Sequence, residues 1–115
     1  MGFSHADIHE KVALDLANPG ANADCFAADL TVKGKMPIVR VSVVPSTGSV
    51  VNITETLGAV NNTYALNNGS ALTADAMASF DVTAVSGASY NVQFAASQVG
   101  NAGVVKKVHL QQFEG

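Results

Sequence analysis

Apolar residues recur at every second position along most of the chain, the period of a pleated strand with one buried face. Phe26, Ala28, Leu30 and Val32 alternate with Ala27, Asp29, Thr31 and Lys33, and Gly34-Lys35 then turns the chain. Val39, Val41 and Val43 alternate with Arg40, Ser42 and Val44. Pro45-Ser46-Thr47-Gly48 has turn chemistry, with Pro early and Gly late. Val51, Ile53 and Leu57 follow with Asn52, Thr54 and Thr56 opposite, so residues 38–57 are expected to form a β-hairpin. Residues 58–76 are looser, with Asn61-Asn62 and Asn67-Asn68-Gly69 as turn signals around a short apolar Tyr64-Ala65-Leu66. Alternation returns at Phe80, Val82 and Ala84, and after the turn Ser86-Gly87-Ala88 at Tyr90, Val92, Phe94 and Ala96. Gly100-Asn101-Ala102-Gly103 reads as a hairpin loop before Val104, Lys106, Val108 and Leu110. About seven or eight strands with frequent turns predict an all-β fold, an antiparallel β-sandwich or jelly roll over residues 21–115.

Residues 1–20 read differently, as a short N-terminal helix or arm. Ser4 can cap a helix over 4–17, with Asp7 three residues on in its first turn. Ile8, Val12 and Leu16 recur every four residues, and Asn18-Pro19-Gly20 is a stop signal. The competing reading makes Val12, Leu14 and Leu16 a short strand.

Composition sharpens the sandwich reading. Among 115 residues there are 18 Ala and 16 Val against 7 Leu, 3 Ile, 5 Phe and no Trp, a supply suited to thin, close-packed layers. Charged residues make up only 13%, about half the usual share, so polar surface must come from Ser, Thr, Asn and Gln. Six basic residues against nine acidic ones argue against a nucleic-acid partner. Residues 1–30 carry a balance of −4 and residues 31–45 one of +3, a pattern able to pair within or between copies. The N-terminus lacks a basic region followed by an apolar run, so no cleaved signal peptide is expected, and synthesis in the cytoplasm is. No window approaches the roughly 18 apolar residues of a membrane span. Asn52 and Asn68 stand in N-glycosylation sequons, which matter only on a secretory route.

Candidate chemistry is sparse. His5 and His9 sit four apart, as on a metal-binding helix, with Glu10 beside them and Cys25 and His109 as further donors, but the spacing compels no site. Cys25 follows Asp24, an acidic setting that disfavours a reactive thiolate and fits a buried structural thiol. Asp75, Asp81 and Glu55, the last expected on a strand's polar face, form no recognisable acid–base pair. Gly100–Gly103 lacks the Lys-Ser/Thr of a phosphate loop. Lys106-Lys107 is too short a run for nucleic acid. Tyr64 is a candidate sugar platform, whereas Tyr90 shares the phase of Val92 and Phe94 and is expected in the core. No catalytic residue, metal or cofactor is therefore assigned.

Val44, Val85 and Val105 are expected on outward faces, and apolar surface of that kind marks partner contacts. With Ile8, Val12 and Leu16 of the arm they form the expected assembly interface of a homo-oligomer. The stretch from Ala78 to Phe94, with its Phe80-Asp81-Val82 strand, Gly87 turn and Tyr90-Asn91-Val92 strand, is similar to a pattern in small tailed-bacteriophage virion proteins. There a closing strand like Val105–Leu110 follows, and the likeness spans residues 36–113. It implies a β-sandwich clustering, often as trimers, on a capsid or tail: a non-enzymatic capsid decoration (cement) protein, partnered by its own copies and major-capsid subunits and located in the virion. The alternative is a carbohydrate- or cell-surface-binding module of a tail appendage.

Overall fold

The computed structural model describes residues 10–17, 19–98 and 104–114. Among the described residues the alternating pattern builds eight antiparallel strands: β1 (Glu10–Ala17), β2 (Leu30–Thr31), β3 (Pro37–Val44), β4 (Val51–Leu57), β5 (Val60–Ala65), β6 (Ala78–Thr83), β7 (Ser89–Phe94) and β8 (Val104–Glu114). Two four-stranded sheets result, sheet A in the order β1-β8-β3-β6 and sheet B in the order β2-β7-β4-β5. From β2 to β4 and from β5 to β8 each strand lies in the opposite sheet from its predecessor, except that β4 and β5 form a hairpin in sheet B. This is the jelly-roll arrangement of an antiparallel β-sandwich.

Facing sides of the two sheets are lined by small β-branched residues. Val39, Val41, Val43, Val108 and Leu110 of sheet A meet Val51, Ile53, Val92 and Phe94 of sheet B, all fully buried. Tyr90 and Phe94 are the largest side chains in this layer. Leu30, Val32, Leu66, Leu72 and Ala88 seal its rims from loops and strand ends.

Several expectations are corrected. Residues 10–17 are a strand, not a helix: β1 pairs with β8 from Glu10↔Gln111 to Ala17↔Val104. A spacing of four fits a period of two as well as a period of 3.6, so Val12 and Leu16 could not separate the readings. Asp15, at φ 50°, breaks the alternation, so Val12 and Leu14 point outward while Ala13 and Leu16 pack on the core. The expected arm is thus, from Glu10 onward, an integral edge of sheet A, and Ile8 lies outside the described residues. Val105, expected outward, is wholly buried, because the inward phase of β8 shifts opposite the same irregular stretch of β1.

Residues 38–57 are not a hairpin. β3 belongs to sheet A and β4 to sheet B, and Pro45–Val50 arches between the sheets. The arch is pinned by Gln98, whose Oε1 accepts from the Ser46 and Thr47 N–H groups at 2.9 and 3.0 Å. The true hairpin is β4–β5, around Gly58-Ala59, with Gly58 at φ 60° where a type II′ turn requires a positive value. Asn61-Asn62, a turn signal in sequence, lies inside β5. The 26–33 segment contributes only Leu30–Thr31 as strand. β7 and β8 also lie in different sheets, so Gly100–Gly103, outside the described residues, joins no hairpin.

The rest of the 22–29 loop is held by Asn91, which is 1% exposed. Its Oδ1 accepts from the Phe26 and Val92 N–H groups at 3.1 and 2.8 Å. Its Nδ2 donates to Phe26 O at 2.9 Å and Asp29 Oδ1 at 2.8 Å. Removing that amide strands a buried backbone N–H and C=O, a loss of about 3 kcal/mol. Asn91→Ala is therefore expected to lower the urea midpoint accordingly, with an unchanged m-value, whereas the exposed Thr83→Ala should leave the midpoint nearly unmoved.

Candidate functional site

Among the described residues, three regions carry candidate chemistry. The first is the outer face of sheet A. Register places Arg40 beside Asp81 on β6, Ser42 beside Ser79, and Val12 and Leu14 of β1 beside His109 and Lys107 of β8. Arg40, Asp81, Met77, Lys107, His109 and Gln111 are among the residues lining a shallow hollow of about 550 Å³ on this face. The Arg40 Nε and Nη2 donate to the Asp81 carboxylate at 2.8 and 3.2 Å, and the guanidinium lies 4.7 Å from the Phe113 ring centre. The bond from Arg40 holds the Asp81 carboxyl below the usual carboxylate range and raises Arg40 in turn. His109 Nε2 and Glu10 Oε1 are 2.9 Å apart. Val12 and Leu14, 48% and 66% exposed, form an apolar ridge along one side.

The second region is the open rim of the core. Glu55, expected on a polar face, stands in phase with Val51 and Ile53 on the core side of β4, opposite Tyr90. The Tyr90 hydroxyl donates to Glu55 Oε2 at 2.6 Å and accepts from the Val85 N–H at 2.8 Å. The Tyr64 hydroxyl and Asn62 Nδ2 donate to Oε1 at 3.2 and 3.4 Å. Burial, then the bond to Glu55, pushes the Tyr90 phenol up to about 12. Partial desolvation and the Glu55 charge raise Tyr64 as well. Leu57, Val60 and Val85 are exposed around this cluster.

The third is a smaller hollow of about 230 Å³ on the outer face of sheet B, lined by Asp24, Asp29, Thr54, Thr56, Asn61 and Gln93 among others. Its carboxylates are already engaged: Asp24 accepts from Gln93 and Asp29 from Asn91, each at 2.8 Å.

The residues singled out in sequence scatter over these regions. His5 and His9 lie outside the described residues. Cys25 is in the core and His109 on the outer face of sheet A, so those two share no site. Among the described residues no group of three or more His, Cys, Asp or Glu is arranged to hold a metal ion. Asp81 is tied to Arg40, while Asp75 sits in a loop at φ 63°, its N–H donating to Pro45 O. Lys106 is exposed and Lys107 lines the hollow of sheet A. Of the expected interface, Val12 and Val85 are exposed, Val44 and Leu16 are half-buried, and Val105 is interior. Leu57 was missed because an apolar residue grouped with Val51 and Ile53 is assigned to the core, Leu14 because the four-residue stripe of the arm passes over it, and Val60 because residues 58–76 show no alternation. No helix among the described residues is long and apolar enough to cross a membrane.

Comparison with known proteins finds no matching family model, no matching curated protein and no matching solved structure.

The one thiol is poorly placed for chemistry. Burial, with the Asp24 charge adding to it, pushes Cys25 up from 9.0 to about 12, which leaves roughly a thousandfold less thiolate at neutral pH. The folded protein is expected to react with a disulfide reagent only as fast as it unfolds, and denaturant should accelerate labelling by about two orders of magnitude or more. Rapid native labelling would show that the thiol is accessible.

Proposed function

We propose that this chain is a non-enzymatic structural protein that self-associates and coats a virion, as a capsid decoration protein bound to major-capsid subunits. The observation that carries the reading is the apolar content of the surface. Val12, Leu14, Met36, Leu57, Val60, Met77 and Val85 are all more than 40% exposed, on a chain with only 13% charged residues. Side chains of this kind are stabilised by burial at about 25 cal/mol per Å², offset by the entropy of association, and a partner supplies that burial. Jelly rolls serve viral capsids as well as lectins, so the architecture is compatible with the reading without choosing it. What favours the virion is the resemblance of the strand pattern over residues 78–94 to small tailed-phage virion proteins. On this reading the outer face of sheet A, with its Val12–Leu14 ridge beside the Arg40–Asp81 hollow, is the face laid on the capsid.

A second reading, a carbohydrate-binding module, draws on the polar hollow of sheet B, whose side chains match hydroxyl-rich ligands. Tyr64, the aromatic candidate for that role, does not line this hollow, and its hydroxyl is already engaged by Glu55.

The two readings part in one experiment. The purified chain is expected to rise in mass with concentration by light scattering and to cosediment with empty capsid shells of its own phage. Leu14→Asp should weaken cosedimentation by about tenfold while leaving the fold intact, since Leu14 is 66% exposed. A chain that stays in the supernatant and instead binds a glycan array, with binding lost on Thr54→Ala, would replace decoration by the second reading.

A further inference from the structure

The four edge strands of the two sheets are not alike. In sheet A, β1 carries Glu10, Lys11 and Asp15, with Asp15 at φ 50°, and β6 carries Asp81. In sheet B, β2 is only two residues long. Charge, irregular backbone and shortness are the usual guards against edge-to-edge pairing. β5, Val60-Asn61-Asn62-Thr63-Tyr64-Ala65, has none of them: it is regular, uncharged, without Pro, and exposed at all six positions. Among the described residues nothing pairs with its outer side.

The backbone of β5 fixes which groups that outer side offers. Val60 closes the two-residue hairpin against Leu57, and the Leu66 N–H donates to Val51 O at 2.8 Å, so the even-numbered residues bond to β4. Asn61, Thr63 and Ala65 therefore aim their N–H and C=O groups outward. The side chains of Val60, Asn62 and Tyr64 stand on the core-side face, since they oppose Leu57, Glu55 and Ile53. Val60 and Tyr64 are 59% and 46% exposed, because sheet A does not extend over them.

From this register we infer that β5 pairs antiparallel with β5 of a second copy about a twofold axis at Asn62, joining the two B sheets into one; the inference rests on the self-association proposed above and names its interface. An axis at Asn62 sets Val60 against Tyr64 of the partner subunit, and Tyr64 against Val60 of the partner subunit. Both fall at non-hydrogen-bonded pairs, where cross-strand side chains are closest, and an aromatic residue against a β-branched one is a favoured pair. Asn61 then meets Thr63 of the partner subunit at a hydrogen-bonded position, and the symmetric pair repeats it, for about four backbone hydrogen bonds. Shifting the axis to Thr63 would set Tyr64 against Asn62 of the partner subunit and break both apolar pairs. The strand is thus self-complementary in one register, and the occupant of its edge is this same chain. Such an isologous contact closes at two copies.

Cysteine substitution tests the axis. At a non-hydrogen-bonded pair the two Asn62 Cα atoms would lie about 4.5 Å apart, within disulfide range, whereas the two Thr63 Cα atoms would lie roughly 9 Å apart, beyond it. Asn62→Cys is expected to form a disulfide-linked dimer on mild oxidation, and Thr63→Cys to form little; Cys25, being buried, should not compete. Asn62→Lys, which places like charges on the axis, should raise the dimer dissociation constant about tenfold or more, and Leu14→Asp should leave it unchanged. If the chain self-associates but Asn62→Cys does not cross-link and Asn62→Lys keeps the native mass, the β5 interface is overturned while self-association stands. A chain that stays monomeric at millimolar concentration removes both.

Discussion

A thin core sets the reach of this sandwich. Its central layer is made largely of valine, with Val39, Val41 and Val43 facing Val51, Ile53 and Val92, and such short side chains bring two sheets into close contact over a narrow area. Beyond that area the sheets no longer cover one another. The core-side faces of β5 and of the end of β4 are left in solvent, and so Leu57, Val60 and Tyr64, in phase with buried residues, end up exposed. The surface character that favours assembly is therefore a consequence of how the interior is filled.

Where the valine layer stops, polar groups close it. Tyr90 spans the boundary, with its ring in the core and its hydroxyl bonded to both Glu55 and the Val85 N–H. Asn91 and Gln98 do the same for the irregular segments, holding the 22–29 loop and the 45–50 arch by side-chain amides that take the place of strand partners. Each is buried, which makes its bonds costlier to remove than a surface bond. The network gives the loops fixed positions, and with them a rigid frame around the exposed faces.

The sequence revealed strands better than their partners. Period-two alternation located β3, β4, β6, β7 and β8 because one face of each is buried, and that is the condition under which the pattern is written. It could not say which sheet a strand joins. Pro45–Gly48 has the same chemistry whether it turns a hairpin or arches between sheets, and the deciding contact, Gln98, lies about fifty residues away. β5 was illegible for a related reason: exposed on both faces, it has no alternation to show, and its asparagines resemble a turn. β1 was ambiguous because Val12 and Leu16 satisfy two periods. Val105 was misplaced because one irregular residue, Asp15, changes the phase on a neighbouring strand. Of the candidate surface, Val85 was legible as an outward apolar position and Val12 as part of the arm's contact stripe; Leu14, Leu57 and Val60 needed the fold to show that no layer covers them.

An unguarded edge has two possible fates, and the side-chain pattern distinguishes them. If β5 bonded to a different edge, such as β1 of sheet A, the contact would be heterologous and repeat without end, the geometry of a fibre. β1 resists that role. Asp15 interrupts its regular backbone, and Glu10, Lys11 and Asp15 would face an uncharged strand that offers them no counter-ion. Against its own copy β5 meets no such conflict: the spacing of four between Val60 and Tyr64 brings apolar residue to apolar residue only under a twofold operation. Self-pairing then consumes the open backbone groups of both copies at once and leaves no further edge of that kind. In the proposed pair the strand that looks most exposed to aggregation would be protected by being satisfied in a closed contact, and each pair would present two copies of the sheet A face for whatever surface they cover.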